Sequence, residues 1–250
     1  MITAYHRPQT LDEALKLLAQ PNTFPLGGGT LLSHTSTDPI EVVDLQALGL
    51  NQIKKSGNNL EIGAAVTLEQ LHESDLFPRA LKPALKLEAP LNVRNAATVA
   101  GTIVTCDGRS TFISALLALD AKLTIVNPKS EIVNLGDFLP LRPRGLITSI
   151  TIPINVKSAF EYVARTPVDK PITCVALTQW PSGRTRLAVG GYGKAPMLAM
   201  DGTEAKGAET AARNAFHEAT DEWGSAEYRM NIAETLVKRC VDNLKAQAIS

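Results

Sequence analysis

Residues 146–153 read Leu146-Ile147-Thr148-Ser149-Ile150-Thr151-Ile152-Pro153, a β-branched run closed by a proline. Such a run is a strand, and the proline ends it because it has no N–H for a ladder. The chain changes character at this point. Before Pro153, short strands alternate with capped helices; after it, strands come first and helices follow. The pattern predicts an α+β fold in two parts, residues 1–153 and a smaller domain over 154–250 made of antiparallel strands then helices.

Towards the N-terminus, Lys122–Val126 and Glu131–Leu135 are expected to be strands joined by the turn Asn127-Pro128, and Ser114–Leu119 a short buried helix. Val93–Val104 holds small residues inside an apolar, strand-like run. Pro83–Leu87 reads as helical, and Thr67-Leu68-Glu69-Gln70 is a capping box that opens another helix. Leu60–Ile62 and Ala64–Val66 read as short strands, and Ile40–Leu45 is an apolar run after the turn Asp38-Pro39. The first helix has its own capping box, with the Thr10 hydroxyl on the backbone of Glu13 and the reverse. It carries Leu11, Ala14, Leu15 and Leu18 on one face and stops at Pro21-Asn22. Towards the C-terminus, Phe160–Ala164, Ile172–Trp180 and Thr185–Gly190 form a meander, with Pro181-Ser182-Gly183 turning the last hairpin. The remainder reads as helical: an Ala-rich stretch over Thr203–Ala219, then a helix capped by Ser225. The stripe of that last helix is Tyr228, Ile232, Leu236, Val237, Cys240, Val241 and Leu244.

Composition narrows the function. The 250 residues carry 25 Lys plus Arg against 25 Asp plus Glu, so the basic footprint of a nucleic-acid binder is missing. No run approaches the roughly 18 apolar residues that span a bilayer. Met1–Pro8 lacks the basic and apolar regions of a secretory leader, so a cytoplasmic location is expected. Cys106, Cys174 and Cys240 are widely spaced and the four histidines are scattered, which gives neither a disulfide framework nor metal-ligand spacing.

Two loops could carry chemistry. In Pro25-Leu26-Gly27-Gly28-Gly29-Thr30-Leu31-Leu32, three glycines allow a positive φ and bring amides close to a ligand, as a diphosphate requires. From spacing alone the plainer reading, a tight strand–helix turn, comes first. In Ala97-Thr98-Val99-Ala100-Gly101-Thr102, two hydroxyls flank small residues, and a tightly packed strand is again the plainer reading. Gly190-Gly191-Tyr192-Gly193 reads as a bulge or turn. Arg94 and Asn95 read as a solvated pair, Asp107, Arg109, Glu161 and Arg165 as isolated surface charges, and Trp180 and Trp223 as packing residues. No general acid–base constellation emerges.

Taken in order, these pieces resemble the FAD-binding medium subunit of molybdenum-containing hydroxylases, the family of carbon monoxide dehydrogenase and of the FAD domain of xanthine dehydrogenase. The resemblance rests on Pro8–Leu18, Gly27–Thr30, Val43-Asp44-Leu45, Ile62-Gly63-Ala64, Val93–Gly101 and Leu116–Ala121. It continues after Ile150–Pro153 through Gly190-Gly191, Ala195-Pro196 and Ser225–Arg229. The resemblance implies a PCMH-type FAD-binding domain in two lobes, about 1–55 and 56–153, with FAD held by Pro25, Leu26, Gly27, Gly28, Gly29, Thr30, Leu31 and Leu32. Thr98, Val99, Ala100, Gly101 and Thr102 would form the second wall, with Thr111 and Ile147 as further contacts. It also implies an electron relay in a heterotrimer with a molybdopterin-binding large subunit and an iron–sulfur small subunit, and no catalytic or metal-binding residue on this chain. The sequence departs from the family pattern at Ala100 and Thr102, where T-I-G-G-N is usual, at Leu31, where an acid is common, and at Thr111, where an Asp contacts the flavin. Those departures motivate a second reading, a structural subunit that keeps the fold without flavin. A stand-alone flavin oxidoreductase ranks third.

Overall fold

Three sheets follow one another along the chain in a computed structural model, which describes residues 1–32 and 38–247. The first is built from β1 (Ile2–His6), β2 (Thr23–Leu26) and β3 (Ile40–Asp44), parallel in the order β1-β3-β2, with α1 (Leu11–Leu18) as the crossover. The Thr10 hydroxyl caps α1 by accepting from the Glu13 N–H. The expected reciprocal bond lands one residue earlier, the Glu13 carboxylate accepting from the N–H of Gln9. The apolar stripe of α1 packs on Val43, Leu45 and Leu146.

The second sheet contains β4 (Ile53–Ser56), β5 (Asn59–Gly63), β6 (Lys122–Asn127), β7 (Lys129–Asn134) and β8 (Leu146–Pro153), antiparallel in the order β4-β5-β8-β6-β7. Between β5 and β6 lie α2 (Leu68–Glu73), α3 (Lys82–Glu88), α4 (Leu91–Arg94), α5 (Val99–Thr105) and α6 (Thr111–Ala118), and α7 (Leu135–Leu141) follows β7. The capping box at Thr67 forms in both directions with Gln70. Two expectations fail here. Ala64–Val66 is a turn, closed by the Val66 N–H donating to the Gly63 carbonyl at 3.1 Å. Val93–Val104 is no strand: Val93 and Arg94 end α4, residues 95–98 turn, and α5 begins at Val99 because Thr98 caps it and Val99 and Ile103 bury one face at i, i+4.

The third sheet is the expected meander, β9 (Lys157–Val163), β10 (Thr173–Gln179) and β11 (Thr185–Gly190), extended by β12 (Met197–Gly202). That last strand falls in a stretch read as helical, since Met197-Leu198-Ala199-Met200 is rich in good helix formers and pairing with β11 overrides them. α8 (Ala208–Ala215) is shorter than expected because Gly207, at φ 87°, fixes its start. α9 (Ala226–Ala246) begins at the Ser225 cap and buries Leu236, Val237, Cys240 and Leu244, while Tyr228 stays exposed. Ile172, Trp180 and Ala164, at the ends of the expected strands, lie outside them.

One core joins the second and third sheets. All eight residues of α6 are buried. Six of them, Phe112, Ile113, Ala115, Leu116, Leu117 and Ala118, pack in the same cluster as Ile150 and Ile152 of β8 and Cys174, Ala176 and Ala188 of β10 and β11. Val175, Leu177, Leu187 and Val189 on the opposite face of the meander pack under α8 and α9. A sheet covered on both faces explains why β10 and β11 are apolar without alternation.

Charged groups hold the C-terminal part. Arg229 is fully buried; it donates to the carbonyls of Ile172, Ala219 and Gly224 and, at 2.6 Å, to Asp221 Oδ1. Arg184 and Arg186 each pair with both Asp120, just past α6, and Asp201 on β12. Removing one partner of a buried pair strands the others, so Arg229→Met is expected to cost about 3–5 kcal/mol in urea unfolding. A loss below about 1 kcal/mol would show those acceptors to be satisfied otherwise. The Arg184 hydrogen bond, with help from Arg186, holds the Asp201 carboxyl below its ordinary range. A carboxyl depressed in the folded state stabilises the protein above its unfolded pKa, near 3.9, and this stabilisation drains away as pH falls through the folded value. Asp201→Asn is therefore expected to be less stable at pH 7 and to lose less on acidification below about pH 4. Parallel stability–pH curves for the two proteins would contradict this.

Candidate functional site

The chain leaves β2 at Leu26, whose carbonyl accepts from the Leu45 N–H at 3.1 Å, and enters the glycine run. Gly29 has φ 71°, a left-handed conformation that a side chain would strain. Gly28 has a different task. A Cβ there would sit 1.6 Å from the Ala96 carbonyl oxygen, and one on Gly27 would sit 2.6 Å from the Thr98 hydroxyl. The missing side chains let the first loop lie directly on the segment leading into α5. The two loops singled out in the sequence are thus brought together, 25–32 against 96–98. Gly28, Thr30 and Leu31 are exposed. Among the described residues, the N–H groups of Gly27, Gly28 and Gly29 meet no acceptor.

The second loop is built differently. Thr98 caps α5 by accepting from the Gly101 N–H at 3.2 Å, and the Thr102 hydroxyl donates to the Thr98 carbonyl at 2.9 Å. The N–H groups of Val99, Ala100 and Thr102 donate to Val66, Ala64 and Thr98 carbonyls. Its donors are spent on the protein itself. What it offers outwards is surface, with Gly101, Val104 and Thr105 exposed and Ala100 partly so. The arrangement can therefore do one chemical thing well: open amides on one loop, held by a second, can accept an oxyanion such as a diphosphate. The residues present fit such a group at Gly27–Gly29.

Thr111 and Ile147 do not join this surface. The Thr111 hydroxyl, fully buried, donates to the Ala84 carbonyl at 2.6 Å and to Glu88 Oε2 at 3.3 Å. Ile147 is buried in the main core. Glu88, which sequence reading missed, is the organiser here. Its Oε2 also accepts from the Ser110 hydroxyl at 2.8 Å and the Phe112 N–H at 3.0 Å. A single acid at the end of a short helix carries no signal that could have found it.

The remaining candidates serve structure. Arg94 is buried, not solvated: it pairs with Glu69 and donates to the Lys86 and Ala89 carbonyls, and its hydrogen bond holds Glu69 low; Asn95 stays exposed. Arg109 donates to the Lys170 and Pro171 carbonyls and lies 4.2 Å from the Trp223 ring centroid, with Arg165 at 5.1 Å from the same ring. These charges are anchored because aromatic faces attract guanidinium groups. Asp107 contacts Lys170, Glu161 accepts from Asn243, and Trp180 lies under Arg184. Gly190 and Gly191 allow close approach: a Cβ on Gly190 would meet the Ser114 hydroxyl at 2.4 Å, and one on Gly191 the Ile172 carbonyl at 2.1 Å. No group of His, Cys, Asp and Glu side chains among the described residues could hold a metal ion. No described helix is long and apolar enough to cross a membrane.

Comparison with known proteins gives a consistent result. Residues 1–155 match the family described as the FAD binding domain in molybdopterin dehydrogenase. The YgfM protein of Escherichia coli (strain K12) is 28% identical over 246 residues, covering 95% of this chain and 94% of that protein. The carbon monoxide dehydrogenase medium chain of Afipia carboxidovorans is 27% identical, covering 98% and 97%. A chain of the cyanide-inactivated Cu,Mo-CO dehydrogenase superposes with a TM-score of 0.84 at 25% identity, over 98% of both chains.

The thiols give one prediction. Burial pushes Cys106 up to about 11 and Cys174 to about 12, and Cys240 is raised further by burial. At pH 8 the native protein is expected to leave all three unmodified by a thiol reagent until denaturant is added. Rapid labelling of the native protein would overturn this. The loop contact gives another. Gly28→Ala is expected to force the loops apart at a cost of about 1–3 kcal/mol, read as a lowered melting temperature. An unchanged melting temperature would show that the loop yields freely.

Proposed function

This chain belongs to the family of FAD-binding domains in molybdopterin dehydrogenases, and we propose that it is the flavoprotein subunit that passes electrons from iron–sulfur clusters on a small subunit to an external acceptor. It is an oxidoreductase subunit with FAD as its cofactor. Substrate oxidation is assigned to a molybdopterin-binding large subunit, and the assembly to a cytoplasmic heterotrimer. The name of the Afipia relative, a medium chain, supports membership of a multi-subunit enzyme.

The observation that carries the reading is the open amides of Gly27, Gly28 and Gly29, pinned by the Ala96–Thr98 segment. In this proposal Pro25–Leu32 accept the diphosphate, Thr98–Thr102 form the wall beside it, and Thr111 and Ile147 act from behind by shaping α6 and β8. FAD, when bound, supplies the capacity to take up and release electrons. The chain supplies position: a rigid glycine turn, a capped helix at its back, and buried apolar packing under both. The domain division at Pro153 and the two lobes, about 1–55 and 56–153, belong to the same proposal, with the first sheet ending before and the second starting at Ile53.

The second reading, a structural subunit without flavin, is favoured by the spent amides of the second loop and by the methyl group of Ala100. The experiment that separates the two is an absorption spectrum of the chain, co-expressed with its partner subunits, after incubation with FAD and gel filtration. Flavin bands should travel with the protein. Displacing the first loop costs charged hydrogen bonds of about 1.5–3 kcal/mol each, so Gly28→Ala should weaken FAD binding at least tenfold. A colourless complex would establish the structural reading, and Ala100→Gly together with Thr102→Asn should then create flavin affinity.

A further inference from the structure

A cleft of about 890 Å³ opens between α3 and residues 162–170, and neither glycine loop lines it. One wall is cationic. Lys82 and Lys86 stand at i and i+4 on α3 and Arg79 in the short turn just before it; all three line the cleft, and none of them pairs with a carboxylate among the described residues. This placement runs against the local preferences of the helix. Lys82 is the first residue of α3, where a positive charge opposes the macrodipole, and the first turn contains no acid. Lys82 and Lys86 are a like-charge i, i+4 pair, which weakens a helix. In a chain of zero formal net charge, nothing in the overall balance calls for such a cluster.

Two further groups complete the cleft, Lys170 from the facing segment and Glu88 from the end of α3. Lys170 reaches in from the segment between β9 and β10, and its ammonium lies 3.8 Å from Glu88 Oε1. The Glu88 side chain is only 6% exposed and all its hydrogen bonds go to Oε2. Oε1 accepts none among the described residues, and it lies at the cleft. Tyr162 stands at the rim with its ring partly exposed. A ligand matching these walls has an anionic end for the three cations and hydroxyl donors for Glu88 Oε1, which is ion-paired with Lys170 but accepts no hydrogen bond among the described residues. Phosphate satisfies the first requirement and a sugar satisfies the second.

We propose that this cleft is a second ligand site, separate from the glycine loops, which binds a phosphorylated sugar, either free or as part of a nucleotide. The test is calorimetric titration of the full chain, with and without FAD, using ribose 5-phosphate, inorganic phosphate and AMP as probes. Ribose 5-phosphate should bind more tightly than inorganic phosphate and more weakly as salt rises. Its affinity should fall at least tenfold in the double variant Lys82→Gln/Lys86→Gln, whose side chains are not core elements, and should not change with FAD loading. Tighter binding of AMP would assign the site to a nucleotide that uses Tyr162; equal or weaker binding would assign it to a free sugar phosphate. Absence of binding, equal affinity for inorganic phosphate, insensitivity to the double variant or competition with FAD would each overturn the proposal. A chain that takes up FAD but no sugar phosphate fails this inference alone. One that binds the sugar phosphate but never FAD fails the flavin reading alone.

Discussion

A helix buried on every side cannot draw on water for its unpaired N–H groups, and the protein must supply acceptors from within. In this molecule that helix is α6. It lies between the five-stranded sheet and the meander and contributes to the core of both. Ser110 caps it through the Ile113 N–H, and the Glu88 carboxylate takes the Phe112 N–H together with the Ser110 and Thr111 hydroxyls. A negative charge at a helix N-terminus is electrostatically favourable as well. The acid arrives from α3, so the position of that helix follows from the need to close α6. The cationic face of α3 is thereby fixed beside the segment that carries Lys170.

The two glycine-bearing loops show a division of labour that chain spacing could not reveal. Both are glycine-bearing and both contain threonine, yet one keeps its amides open and the other consumes them. The difference lies in the neighbours. The second loop starts a helix and runs beside residues 64–66, whose carbonyls take its N–H groups. The first loop leaves a parallel strand to lie against the Ala96 backbone and the Thr98 side chain, and at Gly28 only glycine fits.

Signals carried by a single local hydrogen bond were legible in the sequence. The caps at Thr10, Thr67 and Ser225 all form, and the meander and the buried helix before β6 lie close to their expected places. Signals that depend on distant partners were not. Met197–Gly202 is a strand only because β11 offers it an edge. Small residues around Ala100 suggest a packed strand until the Thr98 cap and the Val99–Ile103 pair are weighed together. Arg94 reads as a solvated charge in sequence, yet it is buried, like Arg229, because carbonyls from several segments converge on its guanidinium. The candidate site was legible as two loops, whereas Glu88 was invisible because its role is set by a helix more than twenty residues away.

The approach of Gly108 to the end of β11 has a wider meaning. Its N–H donates to Gly193 and its carbonyl accepts from Gly191, a reciprocal pair of backbone bonds between the flavin-binding part and the meander. No side chain takes part, and a Cβ on Gly108 would strike the Tyr192 carbonyl at 1.9 Å. Together with the core shared through α6, this stitch makes separate opening of either part costly. Destabilising the C-terminal helices is therefore expected to lower the stability of the glycine loops as well, through the core and the backbone bonds the two parts share.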